Sequence, residues 1–283
     1  MSRGKTLKLF LIDGEPSGRI KCTLANWTGI AYKIPRTALE KCKDMDLLRQ
    51  SGVYFLFGTD KLQNPAVYIG QAGARKNGKG LLLRIQEPHT SIDYWTDAIL
   101  FTTTNNSFGP TEISYLENRF CNIAAQAGRY AVKNGNDPNP GNITEETECE
   151  LEEFIDYAKI VVGALGHKVF EPYIFKSEAE PNESLLHLEY GSGKATGQRT
   201  SDGFVVLCGS VLNPTTTKSC PERSLKDREK YADKIDKNGV LTADLLFSSP
   251  SAAAGFIGGA SLNGNALWKN SDGIGLKELI EKE

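Results

Sequence analysis

Apolar and polar positions along the 283-residue chain fall into four stretches of different pattern. In the first, Lys8-Leu9-Phe10-Leu11-Ile12 reads as a strand, Asp13-Gly14 as its turn and Ile20 to Leu24 as a returning strand. Residues 1–45 are thus expected to form a β extension. The second stretch opens on Ser51-Gly52, which punctuates the aromatic and β-branched run Val53 to Phe57. Ala66 to Ile69 is its partner across the polar, Pro-containing connection Gly58 to Pro65. A Gly-rich basic loop, Gly70 to Gly80, leads to a short Leu-rich helix over Leu81 to Gln86, and Ile99 to Thr104 is the next strand. From Thr111 to Ala127, residues Ile113, Leu116, Phe120, Ile123, Ala124 and Ala127 fall within an arc of about 100° on a helical wheel, so one face of that helix packs on the sheet.

Asn134 to Asn142 is rich in Asn, Gly and Pro and reads as a linker or functional loop. Beyond it lie six glutamates between Glu145 and Glu153, with Thr147 and Glu150 at capping-box spacing ahead of Leu151, Phe154, Ile155, Ala158, Val161, Val162 and Leu165. Acidic residues suit the positive end of a helix dipole, so the run is expected to be structural. From residue 191 the pattern changes to a strand at Phe204 to Leu207, a charged helix ending at Asn238-Gly239, and Ser249-Pro250-Ser251-Ala252-Ala253-Ala254 opening a further helix with Pro at its first position. The expected fold class is α+β, with a separate small C-terminal α+β domain. The boundaries are 1–45, 46–143, 144–190 and 191–283.

Composition adds little until charge is resolved along the chain. The length suits about two domains of roughly 150 residues. No run reaches the roughly 18 apolar residues of a membrane helix, and Met1-Ser2-Arg3-Gly4-Lys5 lacks signal-peptide character, so a cytoplasmic protein with no membrane partner is expected. Six scattered cysteines without a C-x-x-C pair read as reduced thiols. The formal net charge of −2 is an average over unlike halves. Residues 1–84 hold fifteen Lys and Arg against six Asp and Glu, whereas residues 145–190 hold three Lys against twelve Asp and Glu. A polyanionic backbone responds to the local patch, which makes the basic front a candidate nucleic-acid surface.

Two phosphate or nucleophile motifs are incomplete. Gly191-Ser192-Gly193-Lys194 imitates a phosphate loop, but Ala195 stands where Ser or Thr is required and Leu188 where the first Gly belongs. Gly259-Ala260-Ser261-Leu262-Asn263 lacks the last Gly of a nucleophile elbow.

The chemically suggestive set lies in the second stretch: Tyr54 and Tyr68, fourteen residues apart, then Arg84, His89 and Glu117. Phosphodiester hydrolysis needs an aligned, deprotonated water, stabilised charge on the phosphate and a neutralised leaving oxygen. A phenol with a reference pKa of about 10 accepts a proton from water only if nearby cations acidify it. Arg84 and a metal held by a carboxylate are such cations, and Arg presents a donor fork to phosphate oxygens. Glu117 sits about 20° beyond the apolar arc and Glu112 borders its other side; Glu117 is preferred.

In this order the residues resemble the GIY-YIG nuclease superfamily, whose name is nearly spelled by Gly52-Val53-Tyr54 and Tyr68-Ile69-Gly70, over roughly residues 50–140. The resemblance implies a small three-stranded antiparallel sheet flanked by helices, in a nuclease domain at 46–143. It also implies a single divalent metal, Mg²⁺ or Mn²⁺, and endonucleolytic cleavage of DNA or RNA, with DNA ahead of RNA, in repair, restriction or mobile-element defence. Tyr54 or Tyr68 then activates or positions water, Arg84 holds the scissile phosphate, Glu117 binds the metal, and His89 falls where many members carry a histidine. Asn134 is the best-placed closing asparagine, with Asn136 and Asn139 as alternatives. The long Gln71 to Gly80 loop departs from the compact pattern and makes Arg75 a rival to Arg84; Arg75, Lys76 and Lys79 are candidate substrate contacts. The flanks resemble a subset with a β extension, an acidic-start helix and a C-terminal domain of unknown function, marked here by Ser249-Pro250-Ser251-Ala252-Ala253-Ala254 and by Asn263-Gly264 before Trp268. A recruiting role is expected of that domain. A module on the same fold that binds nucleic acid or protein without cutting is the alternative.

Overall fold

The computed structural model describes residues 4–61, 63–73, 80–88, 92, 94–135, 138–173 and 185–282. The chain is α+β and divides into two compact units, Met1–Glu171 and Pro172–Glu283.

The first unit is built on one seven-stranded sheet. Its strands are β1 (Leu7–Leu11), β2 (Ile20–Leu24), β3 (Gly29–Pro35), β4 (Gly52–Thr59), β5 (Pro65–Ala72), β6 (Trp95–Thr103) and β7 (Ala131–Val132), in the order β1-β2-β3-β6-β4-β5-β7. All neighbours are antiparallel except β5 and β7. The sheet is thus larger than the three strands expected. Four strands make the difference: β1 and β2 of the β extension, the two-residue β7 beside β5, and β3, which the sequence pattern leaves unassigned between Gly29 and Pro35 and which pairs with both β2 and β6, fusing the extension to the central strands.

β4 is unbroken in its apolar character because both of its faces are covered. Val53, Phe55 and Phe57 pack with Val67, Ile69 and Phe101 against α2 (Pro110–Ala127) and α3 (Glu145–Ala164). Tyr54 and Leu56 face the other way, onto Leu48, Leu81, Leu82 and Ile85, the last three from α1 (Leu81–Gln86). A strand buried on one side only would alternate with polar residues.

Two glutamates of the acidic run tie α3 to α2. Tyr115 of α2 donates its hydroxyl to Glu152 at 2.8 Å and Glu148 at 3.1 Å, and Arg119 pairs with Glu152. The cap is displaced from the expected residue: Thr144, and not Thr147, accepts from the Thr147 amide at 3.4 Å, so the helix starts one turn earlier.

The second unit carries a four-stranded antiparallel sheet, β11-β10-β9-β8, from β8 (Leu185–Tyr190), β9 (Gly193–Thr200), β10 (Gly203–Val206) and β11 (Leu245–Phe247). β8 begins before residue 191, so this fold includes residues that the sequence reading assigns to the acidic connector. The charged helix, α4 (Glu222–Lys230), ends well before Asn238-Gly239, which belongs to a turn organised by Asp236. The serine and proline motif opens α5 (Pro250–Gly258), with the Ser249 hydroxyl capping the Ala252 amide. The segment with Asn263 and Gly264 docks on that helix start. Ser251 Oγ accepts from the Gly264 amide, and the buried Trp268 indole donates to the Pro250 carbonyl at 3.0 Å. A Cβ on Gly264 would fall on the backbone of Pro250 and Ser251. These motif residues therefore form one packing knot.

Candidate active site

Tyr54 and Gly70 are register partners across β4 and β5, with side-chain directions on the same face. A Cβ at Gly70 would fall on Cζ and Oη of Tyr54, so glycine is what allows the Tyr54 ring to lean over β5. Tyr68 lies beside it, the two ring centroids 6.2 Å apart. Gly52 has a similar reason: a Cβ there would meet the Phe101 carbonyl oxygen on β6. The glycines and tyrosines are therefore linked by close approach of backbone and ring.

β5 runs on to Ala72, so Gln71 belongs to the strand and not to the following loop. Gln71 Nε2 donates to Glu117 Oε2 at 2.9 Å and to Ser114 Oγ at 3.1 Å, both on α2. β7 covers β5 at Ala66 and Val67 only. Past Val67, β5 is left uncovered by β7, with Tyr54 and Tyr68 on the face toward α1 and Gln71 bonded to Glu117 of α2 on the other face. Arg84, on α1, donates to Glu87 at 2.6 Å. Arg84 and Glu117 each act electrostatically on the Tyr54 phenol. Glu112, the rival carboxylate, sits in the first turn of α2 with its carboxyl against Gly109.

Burial dominates the electrostatics. Tyr54 is fully buried, and burial pushes its phenol well above the ordinary tyrosine range. Tyr68, Glu117 and a hydrogen bond with Tyr68 push the same way; Arg84 opposes without winning. The acidification expected from Arg84 is thus overridden among the chain's own groups. Burial also raises the Glu117 carboxyl, against the Gln71 hydrogen bond and the Arg84 charge. Tyr68 is only half-buried, which makes it the tyrosine that reaches solvent.

Asn134 bonds to the backbone of the second tyrosine motif. Its Oδ1 accepts from the Ile69 amide at 3.1 Å and its Nδ2 donates to the Ile69 carbonyl at 2.6 Å. The Lys133 amide bonds the Val67 carbonyl at 2.8 Å, so the Asn134 amide continues the β7 ladder by two more bonds between Tyr68 and Gly70. It is a positioning residue for the second tyrosine motif. Arg75, Lys76, Lys79, His89 and Asn136 lie outside the described residues. Gln71, Ser114 and Glu87 are the site residues that sequence reasoning missed. Gln71 could have been found by extending the period-2 pattern of β5 past Gly70.

Among the described residues no group of three or more His, Cys, Asp or Glu could hold a metal. The residue that would hold a magnesium-like ion is Glu117. Glu117 is a half-buried carboxylate with one oxygen engaged by Gln71, and a magnesium ion that keeps most of its waters is bound through one or two carboxylates with substrate phosphates. No helix of the described residues is long and apolar enough to cross a membrane.

No curated protein and no solved structure gives a match to the chain. Residues 186–280, within the second unit and including the packing knot around Trp268, match the model of a domain of unknown function (DUF4357).

Proposed function

We propose that residues 46–143 form a GIY-YIG-type endonuclease domain that hydrolyses nucleic-acid phosphodiester bonds with a divalent metal, DNA ahead of RNA. The observation that carries this reading is the convergence of Tyr54, Tyr68, Arg84 and Glu117 from two strands and two helices. Packing alone does not require a half-buried carboxylate and a guanidinium beside two tyrosines, and such ionised groups are costly to desolvate.

In this reading Tyr68 positions the attacking water, because it reaches solvent whereas Tyr54 is closed off. Tyr54 holds Tyr68 in place through ring contact and hydrogen bonding. Arg84 exchanges Glu87 for the nonbridging oxygens of the scissile phosphate, for which its fork is suited. Glu117 is the residue that would hold Mg²⁺ or Mn²⁺, with Gln71 and Ser114 fixing its orientation. When bound, the metal neutralises charge on the phosphate and the leaving oxygen.

The test is incubation of purified protein with supercoiled, linear and branched DNA and with RNA, in Mg²⁺, Mn²⁺ or chelator. Metal-dependent product is expected, reduced more by Tyr68→Phe than by Tyr54→Phe. A second reading, a module that binds without cutting, is favoured by the raised Tyr54 phenol. Tight binding of every substrate with no product in either metal would select it.

A further inference from the structure

The turn Gly191-Ser192-Gly193-Lys194, which fails as a phosphate loop, joins β8 to β9, and its lysine pairs outward with Glu189 at 3.1 Å. Ser192 nonetheless rims a cavity of about 510 Å³ in the second unit. Val211, Leu212 and Ile235 line its apolar side, and Arg228 and Lys237 supply its charge.

Arg228 is held by three carbonyls: Nε donates to Phe256 at 2.8 Å, Nη1 to Asn213 at 3.0 Å and Nη2 to Ile257 at 2.9 Å. A guanidinium has five N–H donors, so two remain, and these three partners leave its positive charge without a carboxylate. Phe256 and Ile257 lie at the end of α5, where the helix dipole partly offsets that charge. Lys237 is exposed and has no ion-pair partner among the described residues. Among the described residues no carboxylate lines the cavity. Asp236, next in sequence, spends Oδ1 on the Asn238 and Val240 amides at 2.8 Å each, and Asp227 faces Arg223 at 3.9 Å.

The floor is rigid. The Asn213 side chain accepts from Ser192 and donates to the carbonyls of Thr215 and Gly258. A fixed guanidinium, a second cation, an apolar wall and no acid form an anion site, and its volume lies in the range of small-molecule pockets.

We propose that this cavity binds a phosphate-bearing ligand of about nucleotide size, with Arg228 and Lys237 on the phosphate and Val211, Leu212 and Ile235 against the remainder. The inference stands on the second unit alone and does not depend on nuclease activity.

Calorimetric titration of the full chain at low salt, in chelator, with inorganic phosphate, AMP and a short single-stranded DNA tests it. At least one probe should bind, and Lys237→Glu should weaken it about tenfold, since reversing a charge a few ångströms from a phosphate costs on the order of 1 to 2 kcal/mol near a surface. Ser192→Asp, which brings a carboxylate to the rim, should act in the same direction. Lys237-dependent binding of AMP or phosphate identifies a free ligand; Lys237-dependent binding of DNA alone identifies a strand. No binding of any probe, or binding that is unchanged in folded Lys237→Glu and Ser192→Asp proteins for every probe that binds, overturns the proposal.

Discussion

Asn134 offers the sharpest separation of a structural from a chemical part. Truncation to Ala removes two hydrogen bonds to the backbone of Ile69, a residue that is fully buried. Each is worth about 1 kcal/mol net, and a buried peptide group left unsatisfied adds to that, so the loss is about 2 to 4 kcal/mol. For a cooperative unit of this size about 2 kcal/mol lowers Tm by roughly 4 to 8 °C. Asn134→Asp keeps the acceptor for the Ile69 amide but turns an oxygen toward the Ile69 carbonyl. It should be at least as destabilised at neutral pH and recover as the carboxyl protonates on acidification, because the protonated form regains a donor. Thermal or denaturant unfolding of wild type, Asn134→Ala and Asn134→Asp at neutral and mildly acidic pH measures this. Unchanged stability of Asn134→Ala together with loss of nuclease activity would refute the positioning role and return Asn134 to the reacting groups.

Glu117→Gln should raise stability at neutral pH by on the order of 1 kcal/mol, a common scale where a functional group is held at a cost. Burial raises the Glu117 carboxyl, so its ionised form is disfavoured in the fold and the penalty is relieved as pH falls through the folded value; the gain over wild type should vanish in acid. His167 stacks on Phe57 at 3.7 Å with a buried Nε2 that lacks a hydrogen-bond partner among the described residues, and burial pushes it down to about 4 from 6.5, with Lys33 helping and Asp97 opposing. A base lowered in the fold leaves stability intact above 6.5 and erodes it as pH falls toward about 4, by up to about 3 kcal/mol. His167→Phe should flatten that part of the pH profile in denaturant titrations. In the second unit, Gly264→Ala forces a methyl into the backbone of Pro250 and Ser251 and should cost about 3 kcal/mol or more, read as a lowered unfolding transition and exposed Trp268 fluorescence.

Tyr54, Tyr68, Arg84 and Glu117 could be singled out in the sequence because the two tyrosine motifs are short and the order of residues is read along the chain, and the apolar arc of α2 marked the helix that carries Glu117. Other features were hidden for identifiable reasons. β3 escaped because Gly29 and Pro35 bracket a run whose partners, β2 and β6, lie on either side of it in the sheet and far apart in sequence. The Asn134 amide pairs with Ile69, a contact separated by 65 residues that no spacing rule predicts. The Tyr54 phenol was expected to be acidified because charge alone was weighed. Its burial on the doubly covered β4 is a tertiary property, and it outweighs the Arg84 charge. The Ser, Pro, Asn and Gly residues that mark the C-terminal domain in the sequence each have a hydrogen bond or a close contact in the packing knot around Trp268, which no spacing in the sequence reveals.

Conversion of supercoiled plasmid to nicked product in Mg²⁺, by wild type and by Glu117→Gln at equal folded concentration, bears most directly on the β5 edge as a phosphodiesterase site. Nicking by wild type is expected, abolished by chelator and lowered at least about a hundredfold in Glu117→Gln, the scale on which metal-site changes act. Equal nicking by the two proteins, or nicking that survives chelation, would contradict it.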